Sequence, residues 1–314
     1  MLRTKLAPIL TCIALVGACS DSEVTEVHTS PVLEGRLPDA LPLSERELAQ
    51  LNQANQAMLA GLPEQVHRVL GELLTRDPIP PEVQFVAGSA AYELHQYGEA
   101  IDRIGDAVRS EAVYLSNSSA LGFAHLKLGD FDAARTAFGR IVEVAPQKHK
   151  AHYGLGLAAL SVDELEDARR SLLEALRLAP DYLKARFALA RLLNAEGRPE
   201  EALDEVTFVV DRWPSHDEAL YLRGRLLMTL GREEEAERMF ARHELVYAAN
   251  ESLGGIAGRL GTSLDSPELR LQMVELYLSL EDVHEARRAL SAALSLYPGH
   301  PLLEQARARL ARGG

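Results

Sequence analysis

The chain holds two cysteines, and both lie within its first 19 residues. A thiol can act as a nucleophile, a metal ligand or a point of covalent attachment. Cys19 follows a short positive start, Arg3 and Lys5, and an almost wholly apolar stretch at 6–18. That order is typical of a secretory signal, and the stretch is shorter than the about 20 apolar residues that span a bilayer. We therefore expect residues 1–18 to be a signal peptide.

The residues that end this segment indicate what Cys19 does. Val16, Gly17, Ala18 and Cys19 resemble a bacterial lipobox, although Leu is the commonest residue where this chain has Val16. The resemblance implies that Cys19 is the lipid attachment site and that the mature chain is held at the bacterial cell envelope, facing the periplasm. Ser20, rather than Asp, follows the cysteine, which favours the outer membrane over the inner. The alternative is an ordinary cleaved signal with a chance cysteine.

Three other patterns could carry chemistry, and each has a simpler explanation. The glycine-rich stretch 254–261 lacks the Lys-Ser/Thr of a phosphate-binding loop, and no predicted strand precedes it. His149 and His152 have no further ligand spaced to complete a zinc site. Acidic runs such as 233–235 open predicted helices, where carboxylates favour the positive end of the helix dipole. We therefore expect no enzymatic activity, no metal site and no cofactor; an enzyme with a helical body is the less favoured alternative.

Composition limits the class of partner. Removal of Arg3 and Lys5 with the signal takes the formal charge from −13 to −15. Nucleic-acid binding needs clustered Lys and Arg, so an acidic exported chain is a poor candidate for it. Ala, Leu, Glu and Arg dominate and aromatic residues make up 5% of the chain, a mixture that favours helices.

The chain repeats itself every 34 residues. Segments that begin at Leu121, Leu155 and Leu189 align without gaps, and they close on Pro146, Pro180 and Pro214. Two small positions and one large apolar position recur in the same frame. The first small position is Ala54, Gly88, Gly122, Gly156, Ala190 and Gly224; the second is Val66, Ala100, Ala134, Ala168, Ala202 and Ala236; the large position is Leu70, Ile104, Phe138, Leu172, Val206 and Phe240. Such units pair two helices, and they bury their apolar faces only by stacking.

This pattern resembles the tetratricopeptide repeat family, which implies an all-α, right-handed superhelical solenoid of about seven helix pairs. Residues 19–43 are then a lipidated N-terminus and flexible tether, 44–250 the first six copies, and 251–266 a Gly-rich insert. We interpret the stretch 254–261 within this insert as a flexible joint or short irregular helix. Residues 267–312 form the seventh copy and a C-terminal capping helix. Ser266 is the expected N-cap of that copy, followed by Pro267.

The resemblance also implies where a partner binds. In this family the first helix of each pair lines a concave groove with five of its positions. The residues that fall there and would contact a partner are Phe85, Tyr92, Lys127, Lys150, Tyr153, Lys184, Phe187, Arg191, Asn194, Tyr221 and Arg225. The middle of the groove would be basic and aromatic in an acidic protein, although ring residues at helical spacing also commonly pack in cores.

These observations predict a lipid-anchored scaffold that binds a protein or peptide partner with acidic groups. Its setting would be the assembly of an envelope complex, such as pilus, secretion, outer-membrane or cell-wall machinery. A self-associating structural protein of the envelope, with the groove filled by a second copy, is the other alternative. We expect contact with the membrane through the N-terminal lipid and no binding of nucleic acid.

Overall fold

The computed structural model describes residues 43–110, 115, 117–260, 262 and 265–312. The predicted signal peptide, Cys19 and nearly all of the tether lie outside these residues. The described residues form an all-α protein, and the chain divides into two compact units, 1–162 and 163–314.

The first unit is built from successive helices that pack against their neighbours in sequence. Proline stands at the first helical position of α2 and α3, where its missing N–H costs no hydrogen bond. The helices are α1 (Glu45–Leu59), α2 (Pro63–Leu70), a 3-10 turn (Leu73–Thr75), α3 (Pro81–Glu93), α4 (Tyr97–Ser110), α5 (Ser119–Leu128), α6 (Phe131–Val144) and α7 (His149–Leu160).

The second unit continues the same alternation of first and second helices. Its helices are α8 (Leu165–Leu178), α9 (Leu183–Ala195), α10 (Pro199–Arg212), α11 (Asp217–Thr229), α12 (Glu233–Ala257), α13 (Pro267–Ser279), α14 (Val283–Leu296) and α15 (Pro301–Arg312). We number the pairs from α1 and α2, so that α11 and α12 form pair six, α13 and α14 form pair seven, and α15 follows alone.

The predicted repeat positions are confirmed as packing positions. All six residues of the second small position, from Val66 to Ala236, are 0% exposed, and so are the first five of the large position, from Leu70 to Val206. Residues in the αL region also connect the helices of several pairs. Gly129 has φ of +82°, which a residue without Cβ adopts at no steric cost, whereas His95 and Glu281 adopt the same region without that freedom.

Phe138 shows why the small positions are small. A Cβ added to Gly122, on the first helix of the same pair, would lie 2.6 Å from Cζ of Phe138, and one added to Gly154, on α7, would lie closer still. The ring therefore fills the space between two helix backbones that approach closely. Ile104 stands over Gly88 in the same way, with a constructed separation of 2.7 Å.

The segment after residue 250 differs from our expectation. The sequence predicts a flexible joint or short irregular helix over 254–261, but α12 continues through Gly254 and Gly255 to Ala257. Leu253 and Ile256 are buried on this extension. Each glycine within a helix costs about 1 kcal/mol, and the free energy gained by burying these two side chains outweighs that cost.

Pair seven begins as predicted and is closed by the last helix. The Ser266 side chain accepts a hydrogen bond from the Leu269 backbone N–H at 3.2 Å, and Pro267 takes the first helical position. The expected capping helix is α15, and it covers the pair with three buried side chains. The cluster it closes contains Val274, Ala286, Leu290, Ala293, Leu303, Ala306 and Leu310.

Gly154→Ala is predicted to lower the free energy of unfolding by about 1–2 kcal/mol. Overpacking a closed core costs about 1–3 kcal/mol, and the Phe138 ring is confined on two sides, so the cost exceeds the about 1 kcal/mol of helix propensity that alanine adds. Urea unfolding of the two proteins measures the difference.

Gly139→Ala is the matched control, since Gly139 lies on α6 beside Phe138 and a Cβ there would meet nothing within 4 Å. It should stabilise the chain by about 0.5–1 kcal/mol through helix propensity alone. Equal changes at the two glycines would show that the close approach to Phe138 does not exist.

Candidate partner-binding surface

The outward sides of the first helices, which we call the first-helix faces, carry most of the predicted groove residues. In the first unit, Lys127 on α5 is exposed, and Lys150 and Tyr153 on α7 are half-buried. Tyr92 at the end of α3 is also half-buried. These four side chains lie where a partner could reach them.

Phe85 is a correction to the predicted groove. Its side chain is 2% exposed, so its ring belongs to the core and offers no surface to a partner. The reason is the composition of α3, in which nine residues from Pro81 to Ala91 are buried because helices pack on it from several sides.

The ring of Tyr153 belongs partly to the surface and partly to the packing. Its centroid lies 5.8 Å from that of Phe123, which in turn meets Phe138 edge-on at 4.9 Å. The exposed edge of Tyr153 is therefore fixed by rings that reach down to the inter-helix contact. Such a preorganised ring offers contact area at little cost in conformational entropy.

Lys148 is a residue that our sequence reasoning missed. It directly precedes α7, and its Nζ donates a hydrogen bond to Oδ1 of Asn117 at 3.0 Å. Burial, together with the positive charge of Lys150, holds the pKa of Lys148 below its usual range. An anionic group of a partner would offset both effects. The signal in the sequence was its proximity to Lys150, since Lys148 itself falls just outside the five groove positions.

In the second unit the first-helix faces lie on α9 and α11. Lys184 is half-buried, and Arg191 and Asn194 are exposed along α9. Tyr221 and Arg225, one turn apart on α11, are exposed as well. Met228 continues this stripe with 48% of its side chain exposed, and it too falls on one of the five groove positions.

Phe187 serves the packing rather than the surface. Only 9% of it is exposed, and its ring centroid lies 4.6 Å from that of His216, which directly precedes α11. Trp213 meets the same imidazole edge-on at 4.4 Å. The ring predicted for partner contact thus positions α9 against the start of α11.

His216 caps α11 while lying between these two rings. Its Nδ1 accepts a hydrogen bond from the Ala219 backbone N–H at 3.2 Å, which requires an unprotonated nitrogen. Burial lowers the pKa of His216; the charge of Lys184 acts in the same direction, and the carboxylates of Glu218 and Asp217 oppose it.

The part of the chain that the structure describes meets the requirements of neither a metal site nor a membrane-spanning helix. There, no group of three or more His, Cys, Asp or Glu side chains is arranged to hold a metal ion. None of the described helices is long and apolar enough to cross a membrane.

Comparisons with known proteins agree with this architecture. Residues 119–182, 159–207 and 187–252 match a family model described as tetratricopeptide repeat, and residues 267–310 match a second model of that description. Together these segments cover more than half of the chain. A search of curated proteins found no match.

Similar solved structures come from several proteins. One, described as MamA from Desulfovibrio magneticus, is 23% identical, with 56% of this chain and 99% of that chain covered and a TM-score of 0.48. A crystal structure of MamA is 19% identical, covering 52% and 96%, with a TM-score of 0.44. A tetratricopeptide repeat protein from Parabacteroides merdae is 13% identical, covering 85% and 100%, with a TM-score of 0.50. At these identities the likeness concerns the fold alone.

The cap at His216 predicts a pH dependence of stability. Because the folded pKa lies below the unfolded value of about 6.5, the unfolded state binds more protons as the pH falls. The stabilisation is therefore fully present above about pH 6.5 and is lost as the pH falls through the folded pKa. Urea unfolding at a series of pH values measures it.

His216→Ser keeps a side-chain acceptor at the cap and removes the titrating ring. The unfolding free energy of this variant should depend less on pH below about 6.5 than that of the wild type. If the two proteins lose stability in parallel over that range, His216 is not the group responsible.

Proposed function

The chain belongs to the tetratricopeptide repeat family, and we propose that it serves as a lipid-anchored scaffold whose first-helix faces bind an acidic protein or peptide partner. The anchor would hold it in the bacterial envelope, at the outer membrane and facing the periplasm. Its task there would be to help assemble a complex such as pilus, secretion, outer-membrane or cell-wall machinery. The repeat family itself supports protein–protein interaction as the mode of action.

The positions of the basic residues are the strongest support for an acidic partner. A chain with a formal charge of −13 presents bases on the first helices of both units, at Lys127, Lys150, Lys184, Arg191 and Arg225. Bases that stand out from an acidic surface attract a negative ligand to that location and repel its approach elsewhere.

Each unit offers what binding of an extended or helical segment requires. Lysine and arginine donate charge-assisted hydrogen bonds to carboxylates, and these are about twice as strong as neutral ones. Tyr153 and Tyr221 supply rigid apolar area beside them. Asn194 adds a donor and an acceptor that can satisfy a partner's backbone.

The proposed anchor rests on the sequence around Cys19. A charged start, an apolar stretch and two small residues before the cysteine are the features of a lipoprotein signal. Lipid at Cys19 would leave the tether of residues 20–43 between membrane and repeats, and a flexible chain of that length reaches on the order of 25–30 Å.

Reversal of one base in each unit tests the binding surface. Lys150→Glu together with Lys184→Glu should lower the affinity for the partner at least tenfold, which corresponds to about 1.4 kcal/mol. The affinity of the wild type should also fall as the salt concentration rises from about 0.1 M to about 1 M, because salt screens the charges. The partner is identified by crosslinking to the wild-type chain in membranes, and its affinity is then measured with purified proteins.

The matched control reverses two exposed bases on second helices. Arg140→Glu on α6 and Arg170→Glu on α8 change the net charge by the same amount, one residue in each unit. This control should alter the affinity less than twofold. If both double reversals weaken the partner equally, binding follows net charge, and the first-helix faces are not the site.

Cys19→Ser tests the anchor independently of the partner. The serine variant should incorporate no fatty acid and should leave the membrane fraction, because the acyl chains supply the membrane affinity. Metabolic labelling with a radioactive fatty acid, followed by fractionation, measures both properties. Fractionation of the wild type also decides between outer and inner membrane. A variant that still carries label would disprove lipidation at Cys19.

A further inference from the structure

The second helix of pair six is covered less than its counterparts. The large residue that recurs in the frame is 0% exposed in the first five pairs and 4% exposed in pair seven, whereas Phe240 in pair six is half-buried. Gly224 lies under Phe240 as the other small residues do, with a constructed Cβ only 2.7 Å from its ring. One side of the Phe240 ring is therefore packed and the other side is open.

The sequence of α12 changes in keeping with that open side. Three residues after the large position, the first five pairs carry apolar side chains that are at most 1% exposed: Leu73, Ala107, Ile141, Ala175 and Val209. Pair six has the half-buried His243 at that place, and Tyr247, one turn further, is 50% exposed. His243 therefore distinguishes pair six from the first five pairs, whose side chains at this place are apolar and buried.

Pair seven leaves this side open because it attaches elsewhere. Nη2 of Arg242, which lies about 200° around α12 from Phe240, donates a hydrogen bond to the Leu280 carbonyl at 2.9 Å. The Ser215 hydroxyl also donates to the buried carboxylate of Asp282, which caps α14. Pair seven thus attaches to α12 at Arg242 and to the turn before α11 at Ser215, and these two hydrogen bonds do not involve Phe240, His243 or Tyr247.

The side chains left open form one continuous surface. The Tyr221 ring lies 5.8 Å from that of Phe240 and 5.4 Å from that of His243, and His243 lies 6.0 Å from Tyr247. Met228 extends the surface along α11 with 48% exposure. We call these five residues the open face.

We infer that the open face binds an amphipathic helix of a partner protein, which takes the position that the next first helix occupies on the other pairs. This goes beyond the proposed function. The open face shares Tyr221 and Met228 with the first-helix faces, but it adds three side chains of α12 and binds through rings and apolar area rather than through the first-helix bases. In each of the first five pairs, the first helix of the next pair covers the equivalent surface. At pair six, a helix of another protein would take that place.

The equivalent internal contact predicts the apolar side of the partner helix. Phe138 is covered by α7, whose Gly154 lies directly against the ring. A partner helix that covers Phe240 therefore needs a glycine or alanine at the crossing point. Large apolar residues on either side of it would contact Tyr247 and Met228. An amphipathic helix binds a groove through such an apolar face, and tyrosine is one of the residues in which binding energy concentrates.

The charged borders of the open face predict the flanks of that helix. Arg225 is exposed on the α11 border, one turn from Tyr221, whereas Glu237 and Glu244 are exposed on the α12 border. A helix with acidic residues along one flank and basic residues along the other meets both borders with opposite charge. A helix with the same charge on both flanks would be repelled electrostatically by one of the two borders.

A synthetic helix tests the inference on the full chain purified in detergent. The probe peptide has leucines at helical spacing, one central glycine, glutamates on one flank and lysines on the other, and its binding is measured by fluorescence anisotropy. We expect the wild type to bind the peptide saturably. Tyr247→Glu or Met228→Lys should each lower the affinity for the peptide at least tenfold. Peptides with only glutamate or only lysine flanks should bind more weakly than the mixed peptide.

Leu245→Glu is the matched control for Tyr247→Glu. Leu245 is 65% exposed on the same helix, two residues and therefore about 200° away from Tyr247, so it faces away from the open face. This variant should change the affinity less than twofold, and circular dichroism should show that all three variants fold. The Lys150/Lys184 reversal should leave peptide binding unchanged, which separates this test from that of the proposed function.

Three results would overturn the inference. The first is the absence of saturable binding to the wild type. The second is an equal loss at Leu245 and Tyr247, or equal binding of the three peptides. The third is sedimentation of the wild type as a dimer that Tyr247→Glu converts to a monomer, since a second copy of the chain would then be the occupant.

Discussion

The contact of Phe138 with the backbones of two first helices is the constraint on which the remaining structure depends. The ring fits because Gly122 and Gly154 have no Cβ, so helices approach until the ring fills the space between them. The same residue types return every 34 residues, and the corresponding large side chains of the first five pairs are completely buried. Each pair therefore depends on a further helix to cover it, which is the energetic basis of a repeat protein.

That constraint decides which residues are free to serve a partner. Side chains at the packing positions are held by shape, whereas Arg191 and Arg225 on the outward sides of the first helices can change without cost to the core. Pair seven packs against pair six at a different place from Phe240, so an apolar surface of pair six stays exposed. The stacking of the pairs thus decides the exposure of both the first-helix bases and the open face.

The fold could be predicted from the sequence because the spacing is strict and each position has one physical role. The helix start at Ser266 and Pro267 and the buried alanines followed from local rules. The course of α12 did not, since two glycines argued for a break and only the burial of neighbouring side chains keeps the helix intact. Phe85 failed as a surface residue because exposure depends on neighbouring pairs, which a position within one helix does not reveal.

Tyrosine nitration of the native full chain, followed by peptide mass spectrometry, tests most directly whether the stack leaves pair six uncovered. Tyr221, 47% exposed, and Tyr247, 50% exposed, should be nitrated much faster than Tyr182, which is 9% exposed. Nitration of all three at the slow rate of Tyr182 would mean that a helix covers pair six as it covers the others, and would contradict this account.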